Sequence, residues 1–363
     1  MKIAFVMNRG YSLFHPEHPE AFGGAQIDQY LLGQALCKKG YQVSFIVHDY
    51  GQIEKENIND YLTLYKSYPP KGSGSLLVQF FRALKRLYRT LRQINADVYF
   101  MEGANFELCI VAIFCWLNRK ILYYRIASDI EADGRYVKNN VLQGFLFKLG
   151  LRLTTKIIVQ TEYQQLWLKK QGYQATIIPN AYPVHSDQGN MHGPILWVGR
   201  LIRIKRPEIL LEIAKLLPDR QFTLIGQAET IDGSYAIDII EKMGKIKNIT
   251  YVPRVAFSKV DTYYQKSSML INTSTYEGLP MTFLQAMSFG LPIITFGVNP
   301  DNLLEKIHGS CVTTVAEGIL AIRKYTSPKN WEHASTLSKI YFSDNFSLDT
   351  VVAKYEQLFK KQL

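Results

Sequence analysis

Short apolar runs alternate with segments of helical period along most of the chain. Ile3 to Met7 is an unbroken apolar run, Ala25 to Lys39 repeats its apolar residues at helical spacing and stops at Gly40, and Val43 to Val47 is a second strand-like run. Strand, covering helix and strand form the repeating unit of a doubly wound α/β domain. Val98 to Met101, Ile121 to Arg125 and Ile157 to Gln160 continue the pattern with a helix between each pair, which predicts a parallel sheet covered on both faces. Between Pro179 and Pro194 periodicity stops, and His185 to Pro194 is polar and rich in Gly, which marks a linker. The pattern then restarts. Ile195 to Val198, Phe222 to Ile225, Ile249 to Val252, Met269 to Ile271 and Ile293 to Phe296 are strand-like, and Pro207 to Leu217 is helical. The expected organisation is a first α/β domain over 1–182, a linker over 183–194, a second α/β domain over 195–330, and a helical C-terminus over 331–363 with a break near Ser343 to Ser347.

Length agrees with two domains, since 363 residues is about twice the usual 150 per domain. The balance of 42 basic against 31 acidic residues leaves +11, which favours anionic partners such as nucleotide diphosphates or lipid headgroups, although solubility alone would also account for it. Cys37, Cys109, Cys115 and Cys311 have no close metal-type pairing, so a reducing cytoplasm is the simplest setting. The first apolar run is too short for a signal peptide. The longest apolar stretch, Leu108 to Leu117, is about half of what a bilayer-spanning helix requires, so no transmembrane segment is expected.

One stretch carries more chemistry than the rest. From Thr273 the sequence runs Ser274-Thr275-Tyr276-Glu277-Gly278-Leu279-Pro280-Met281-Thr282 and continues through Gln285 to Gly290-Leu291-Pro292. It predicts a strand end, a loop opened by Gly278, a helix entered at Pro280 and a stop at Gly290. The helix N-terminus is then aimed at whatever lies beyond Glu277, and its unbonded amides with the positive end of the dipole suit a phosphate. Glu277 stands before that site and Gln285 about two turns into the helix. A ligand with hydroxyls on both sides of a phosphate, such as a nucleotide-sugar, fits the spacing; an ordinary capped helix without ligand is the alternative.

The stretch resembles the Glu-x7-Glu signature of family 4 retaining glycosyltransferases, with Gln285 in the second Glu position. The resemblance implies a GT-B fold: two Rossmann-like domains facing across a cleft, with the last helix crossing back to the first domain. It implies that Glu277 contacts the transferred sugar, that Gly278, Leu279, Met281 and Thr282 hold sugar and phosphate, and that Gln285 holds the ribose. An amide lacks the charge-assisted contact of a carboxylate there. A second stretch, Trp197-Val198-Gly199-Arg200-Leu201-Ile202-Arg203-Ile204-Lys205-Arg206-Pro207, is also similar to the family, whose basic pair matches Arg200 and Lys205. Breaking a sugar–phosphate bond places negative charge on the departing diphosphate, and fixed cations stabilise it. No Asp-x-Asp metal motif appears, and the resemblance implies a reaction that needs no metal.

Weaker features follow the same resemblance. Gly23 and Gly24 open the first long helix and resemble a glycine pair that faces the donor phosphates, although a bare helix start reads equally well. In Tyr124-Arg125-Ile126-Ala127-Ser128-Asp129 the family places a His-Asp pair; here Ser128 replaces the His, and Ser128 with Asp129 is expected to contact sugar or acceptor, or else to cap the loop. Arg254, after the strand ending at Val252, would stack on the base, or simply be exposed. His15 and His18 have metal-like spacing without a third ligand, so a solvated loop is preferred. Lys71 to Arg92 holds basic residues and no acid, and a helix over 76–91 places Leu77, Phe80, Leu84, Leu87 and Leu91 on one stripe. That helix either packs on its own sheet or, from the cytoplasm, meets the inner face of an anionic membrane. Without a single-strand platform or recognised motif, nucleic acid is not an expected partner.

The reading is a metal-independent retaining hexosyltransferase using a UDP- or GDP-linked donor and a lipid-linked or polysaccharide glycan acceptor. Its rivals are a GT-B nucleotide-sugar epimerase and a sugar-binding scaffold without turnover.

Overall fold

The computed structural model describes residues 1–70, 76–139, 141–228 and 233–360. It divides into two compact units, the first formed by Met1–Pro179 with Val352–Leu363 and the second by Asn180–Val351.

The first unit is built on eight strands: β1 (Lys2–Val6), β2 (Gln42–Val47), β3 (Lys55–Asn59), β4 (Leu62–Lys66), β5 (Val98–Glu102), β6 (Ile121–Arg125), β7 (Lys156–Val159) and β8 (Ala175–Ile177). Their order in the sheet is β3-β4-β2-β1-β5-β6-β7-β8. Every neighbouring pair is parallel except β3 with β4. The antiparallel edge departs from the parallel sheet the apolar runs predict. Lys55–Asn59 is polar and mostly exposed, as an edge strand can be, and so shows none of the apolar signal of a central strand. Alternation along the strands separates two cores. Phe5 stacks on Phe45 at 4.9 Å on one face, where Tyr123 also stacks on Phe359 of the Leu348–Lys360 helix at 5.8 Å. On the other face Ala4, Tyr99, Met101 and Tyr124 join Leu87, Val111, Phe114 and Phe147 from the covering helices.

The second unit has β9 (Ile195–Val198), β10 (Phe222–Ile225), β11 (Ile249–Val252), β12 (Met269–Asn272), β13 (Ile293–Thr295) and β14 (Ser310–Cys311), all parallel in the order β11-β10-β9-β12-β13-β14. The chain starts in the middle at β9, builds outward to β11, then returns to β12 on the other side. Loops leaving β9 and β12 therefore diverge at a switch point, where doubly wound sheets open a crevice at the strand carboxyl ends. The Met281–Ser288 helix ends at Gly290, whose φ of +67° suits a left-handed cap. A Cβ there would stand 2.4 Å from Ser335 Oγ of the Pro328–Phe346 helix.

The helical C-terminus breaks at Ser347, between Pro328–Phe346 and Leu348–Lys360. The first of these stays with the second unit, and only the stretch from Val352 onward joins the first. Among the described residues no helix is long and apolar enough to cross a membrane.

Candidate active site

The loops leaving β9 and β12 are stitched to each other by hydrogen bonds. Thr275 N donates to Ile204 O at 2.8 Å, and Trp197 Nε1 donates to Thr273 Oγ1 at 2.9 Å. Arg206 provides the main clamp: its guanidinium donates to the carbonyls of Thr273 at 2.6 Å, Ser274 at 3.2 Å and Phe296 at 2.6 Å. It does so from a left-handed backbone with φ of 44°, a conformation in keeping with Pro207, which disfavours a right-handed helical residue before it. Three carbonyls at the ends of β12 and β13 thus depend on one arginine that the sequence reading passed over.

Lys205 and Glu277 meet in this frame. The Lys205 ammonium pairs with Glu277 Oε1, which also accepts from Ser274 Oγ at 2.7 Å. Both side chains are partly buried, so the pair is held rather than waving in solvent. Beyond it begins the Met281–Ser288 helix. Pro280 stands at its N-cap and brings no capping side chain, while the Leu279 carbonyl is anchored by Asn180 Nδ2 at 2.7 Å. The first-turn amides of Met281 and Thr282 belong to the set a helix leaves without intrahelical partners. Gly278 is buried on the approach, and Arg200 is half-buried on the loop leaving β9. Arg254 is half-buried on the loop leaving β11. The second unit thus brings the Glu277 stretch and Lys205 into contact and sets Arg200 and Arg254 on loops of the same sheet edge.

Gln285 lies further along the same helix, Met281–Ser288. It is 3% exposed, and both ends of its carboxamide are used inside the unit: Oε1 accepts from Tyr264 at 3.0 Å and Nε2 donates to Tyr182 at 3.2 Å. The Tyr182 hydroxyl gives its own proton to Asp261 at 2.6 Å. Tyr182 therefore needs a donor from position 285, and Tyr264 needs an acceptor. A carboxamide meets both demands and a carboxylate meets only one. Both ends of the Gln285 carboxamide are thus engaged in a buried network that an amide fits and an acid does not. Gln285→Glu is expected to lower stability by about 1–3 kcal/mol, the cost of a buried group left without its partner. Urea unfolding checks this; a variant as stable as the parent would dissolve the account.

The first unit places its candidates at the carboxyl edge of its own sheet. Gly23 caps the Gly24–Lys38 helix in extended conformation, and its amide donates to Gln26 Oε1 at 2.8 Å. Ser128 precedes the short Asp129–Ala132 helix. Its hydroxyl donates to Glu131 Oε1 at 3.3 Å, and Asp129 Oδ1 accepts from Gln164 Nε2 at 3.0 Å. Glu131 is the organiser here, accepting also from Tyr124 at 3.0 Å and from Ala127 N at 3.2 Å. Burial pushes its carboxyl up to about 7. Ser128 stands at the N-cap of the short helix, but its hydroxyl bonds the Glu131 carboxylate and caps no helix amide. Beneath it Arg125, fully buried, pairs with Asp28 and donates to Tyr355 at 3.3 Å and to Ile178 O at 3.4 Å. His15 and His18 pack around Tyr11, with ring centroids 4.4 and 5.2 Å away. Among the described residues no group of three or more His, Cys, Asp or Glu is placed to hold a metal ion.

The architecture has known counterparts. Sucrose-phosphate synthase from Thermosynechococcus elongatus superposes with a TM-score of 0.82 over 100% of this chain and 99% of its own, at 15% identity. Anabaena Alr3699/HepE, solved in complex with UDP and glucose, gives 0.75 over 99% of this chain and 100% of its own, at 14% identity. The fold is GT-B. Within the GT-B chain, residues 193–324 match the family Glycosyl transferases group 1. An uncharacterized glycosyltransferase of Haemophilus influenzae is 26% identical over 82% of this chain and 80% of its own length. Together these likenesses support a glycosyltransferase family of GT-B fold.

Proposed function

We propose that this GT-B chain moves a hexose from a nucleotide-diphosphate sugar to a hydroxyl of a glycan or lipid-linked acceptor, with retention at the anomeric carbon and no required metal, in the cytoplasm. The observation that carries the reading is the Lys205–Glu277 pair at the β9/β12 switch point, before the N-terminus of the Met281–Ser288 helix. A cation, an acceptor for sugar hydroxyls and helix amides stand together there, and a nucleoside diphosphate sugar asks for all three. The UDP and glucose bound by the Anabaena neighbour agree with a uridine-linked hexose.

In this reading Arg200 and Lys205 take the diphosphate, Met281 and Thr282 offer amides to it, and Gly278 and Leu279 let the sugar approach the backbone. Glu277 orients the sugar hydroxyls and Arg254 stacks on the base. Ser128 and Asp129 contact the sugar or acceptor, while Gly23 and Gly24 allow close approach in the first unit. The C1–O bond to the diphosphate breaks as the acceptor oxygen bonds C1 on the same face. A departing phosphate oxygen takes the acceptor proton, so charge and atoms balance. Lys205 is shared with Glu277 before binding and turns to the phosphate as negative charge develops.

The test is turnover with UDP-, GDP- and ADP-hexoses, with and without glycan acceptors, followed by phosphorus and proton NMR. Released nucleoside diphosphate and an anomeric coupling that matches the donor are expected. An epimerised nucleotide-sugar formed without acceptor, or binding of a donor that is never turned over, would overturn the proposal.

A further inference from the structure

Two features of the first unit remain outside the proposed reaction: the basic Leu76–Ile94 helix and the buried carboxyl of Glu131. The helix packs Leu87 and Leu91 into the unit's core, while Lys71 and the side chain of Leu77 lie outside the described residues. Glu131 stands directly beneath the loop leaving β6.

Glu131 is 7% exposed. Its Oε2 accepts from the Ala127 amide at 3.2 Å and the Tyr124 hydroxyl at 3.0 Å, and its Oε1 accepts from the Ser128 hydroxyl at 3.3 Å. The backbone of Ala104, on the loop leaving β5, also bonds to it. The loop is pinned from its other side as well. Gln160 Nε2 donates to the Ile126 carbonyl at 3.0 Å and the Ala127 carbonyl at 3.4 Å, and Gln164 Nε2 holds Asp129 Oδ1 at 3.0 Å. With the backbone fixed, what can still turn is the Ser128 hydroxyl, half-buried at the N-cap and bonded to no helix amide.

We propose that Glu131 is the positioning residue of this loop: its carboxylate draws the Ser128 proton inward, so that Ser128 meets a sugar hydroxyl as an acceptor. This rests on the reading that Ser128 contacts sugar or acceptor. A hydroxyl has one proton and two lone pairs. While the proton is committed to Glu131, only lone pairs remain for a ligand, and the ligand hydroxyl must donate. Protonation of Glu131 from solvent reverses this. Oε2 is held by an amide N–H that cannot turn round, so the acid proton sits on Oε1 and points at Ser128, which accepts it and turns its own proton outward.

The reversal falls near neutral pH. Burial pushes the Glu131 carboxyl up to about 7, against hydrogen bonds from Ala127, Tyr124, Ala104 and Ser128 that favour its ionised form. Around it stand Tyr124 and Arg125 on β6, Glu102 on β5, Asp28 paired with Arg125, and Tyr136 on the Arg135–Asn139 helix. Beside its own short helix Asp129 bonds Gln164, and Asp133 pairs with Arg135 at 2.7 Å and accepts from Tyr163 at 3.3 Å. Burial drives Glu102, Tyr124 and Tyr136 upward, which keeps the two phenols neutral where Glu131 titrates.

Two readouts test this, and the first needs no turnover. In protein carrying carbon-13 at the Glu side-chain carboxyls, the NMR resonance that Glu131→Gln removes should titrate with a midpoint of about 7. Ser128→Ala should move that midpoint up by about half a pH unit, since the lost hydroxyl favoured the ionised form. Glu131→Asp serves for the assignment if Glu131→Gln does not fold. In transfer assays between about pH 5.5 and 8.5, kcat/KM of the parent should rise about three- to tenfold through the same midpoint, the worth of one hydrogen bond. Glu131→Gln imitates the protonated acid and should keep the acid-side rate at every pH, and Ser128→Ala should flatten the profile too. A carboxyl that only held the fold would lower the rate by one factor throughout. A Glu131 resonance titrating in the ordinary range near 4.5, a midpoint that Ser128→Ala leaves in place, or variants that keep the parent's pH profile would overturn the proposal. Because the NMR readout is free of sugar chemistry, its failure is separate from a failure of the transfer reaction.

Discussion

Lys205→Ala is expected to slow the proposed sugar transfer by about a hundredfold or more, the cost of removing a fixed charge aimed at a transition-state anion. The loss should appear mainly in kcat, because the diphosphate gains its full charge only as the C1–O bond breaks. Arg200→Ala should behave alike. The contact between Lys205 and Glu277 adds a sharper expectation. Once Lys205 is gone, Glu277 keeps the Ser274 hydroxyl but faces the incoming phosphates as a less compensated negative charge. Glu277→Gln in the Lys205→Ala background should therefore cost less than Glu277→Gln in the parent, a coupling read from the double-mutant cycle. Steady-state kinetics with the donor found in the panel checks this. Rates within about threefold of the parent for both single cation variants would remove Arg200 and Lys205 from the diphosphate site.

Arg125→Met is expected to destabilise the first unit by about 3–5 kcal/mol, because it strips the counter-ion from a carboxylate inside the protein. Arg125 and Asp28 are both nearly inaccessible, and Arg125 joins β6 to the Gly24–Lys38 helix, to Tyr355 of the C-terminal helix and to the Ile178 carbonyl. Burial already drives the neighbouring Glu102 carboxyl well above its usual range, with Arg125 acting to lower it. Removing the guanidinium therefore leaves Asp28 as the main uncompensated charge. Arg125→Met combined with Asp28→Leu should regain much of the loss, since an apolar pair can replace a buried ion pair. Urea unfolding followed by circular dichroism measures both variants. A single variant that unfolds within about 1 kcal/mol of the parent would show that the pair does not hold the unit together.

How much of this was legible in residue order differs between fold and site. The central strands of both sheets sit within one or two residues of the apolar runs, because a strand buried on both faces must be continuously apolar. The break at Ser347 and the stop at Gly290 were legible for a similar reason, each resting on local backbone chemistry. The Lys55–Asn59 edge strand was not, since an edge needs no apolar run and is defined by its partner Leu62–Lys66. In the site, the chemistry of the Glu277 stretch and of Lys205 showed in residue types, but their contact did not. They lie 72 positions apart and meet only because β9 and β12 are neighbours in the sheet.

The sequence by itself determined two doubly wound units, their central strands, and a helix start preceded by Glu277, because burial and backbone chemistry act within a few residues. Only the tertiary structure decided the rest. It paired Lys205 with Glu277, made Arg206 the clamp on three carbonyls, and turned Gln285 inward to Tyr182 and Tyr264. The physical reason is common to all three: a hydrogen bond or ion pair forms where geometry brings donor and acceptor within reach, and sheet order sets that geometry across long stretches of chain.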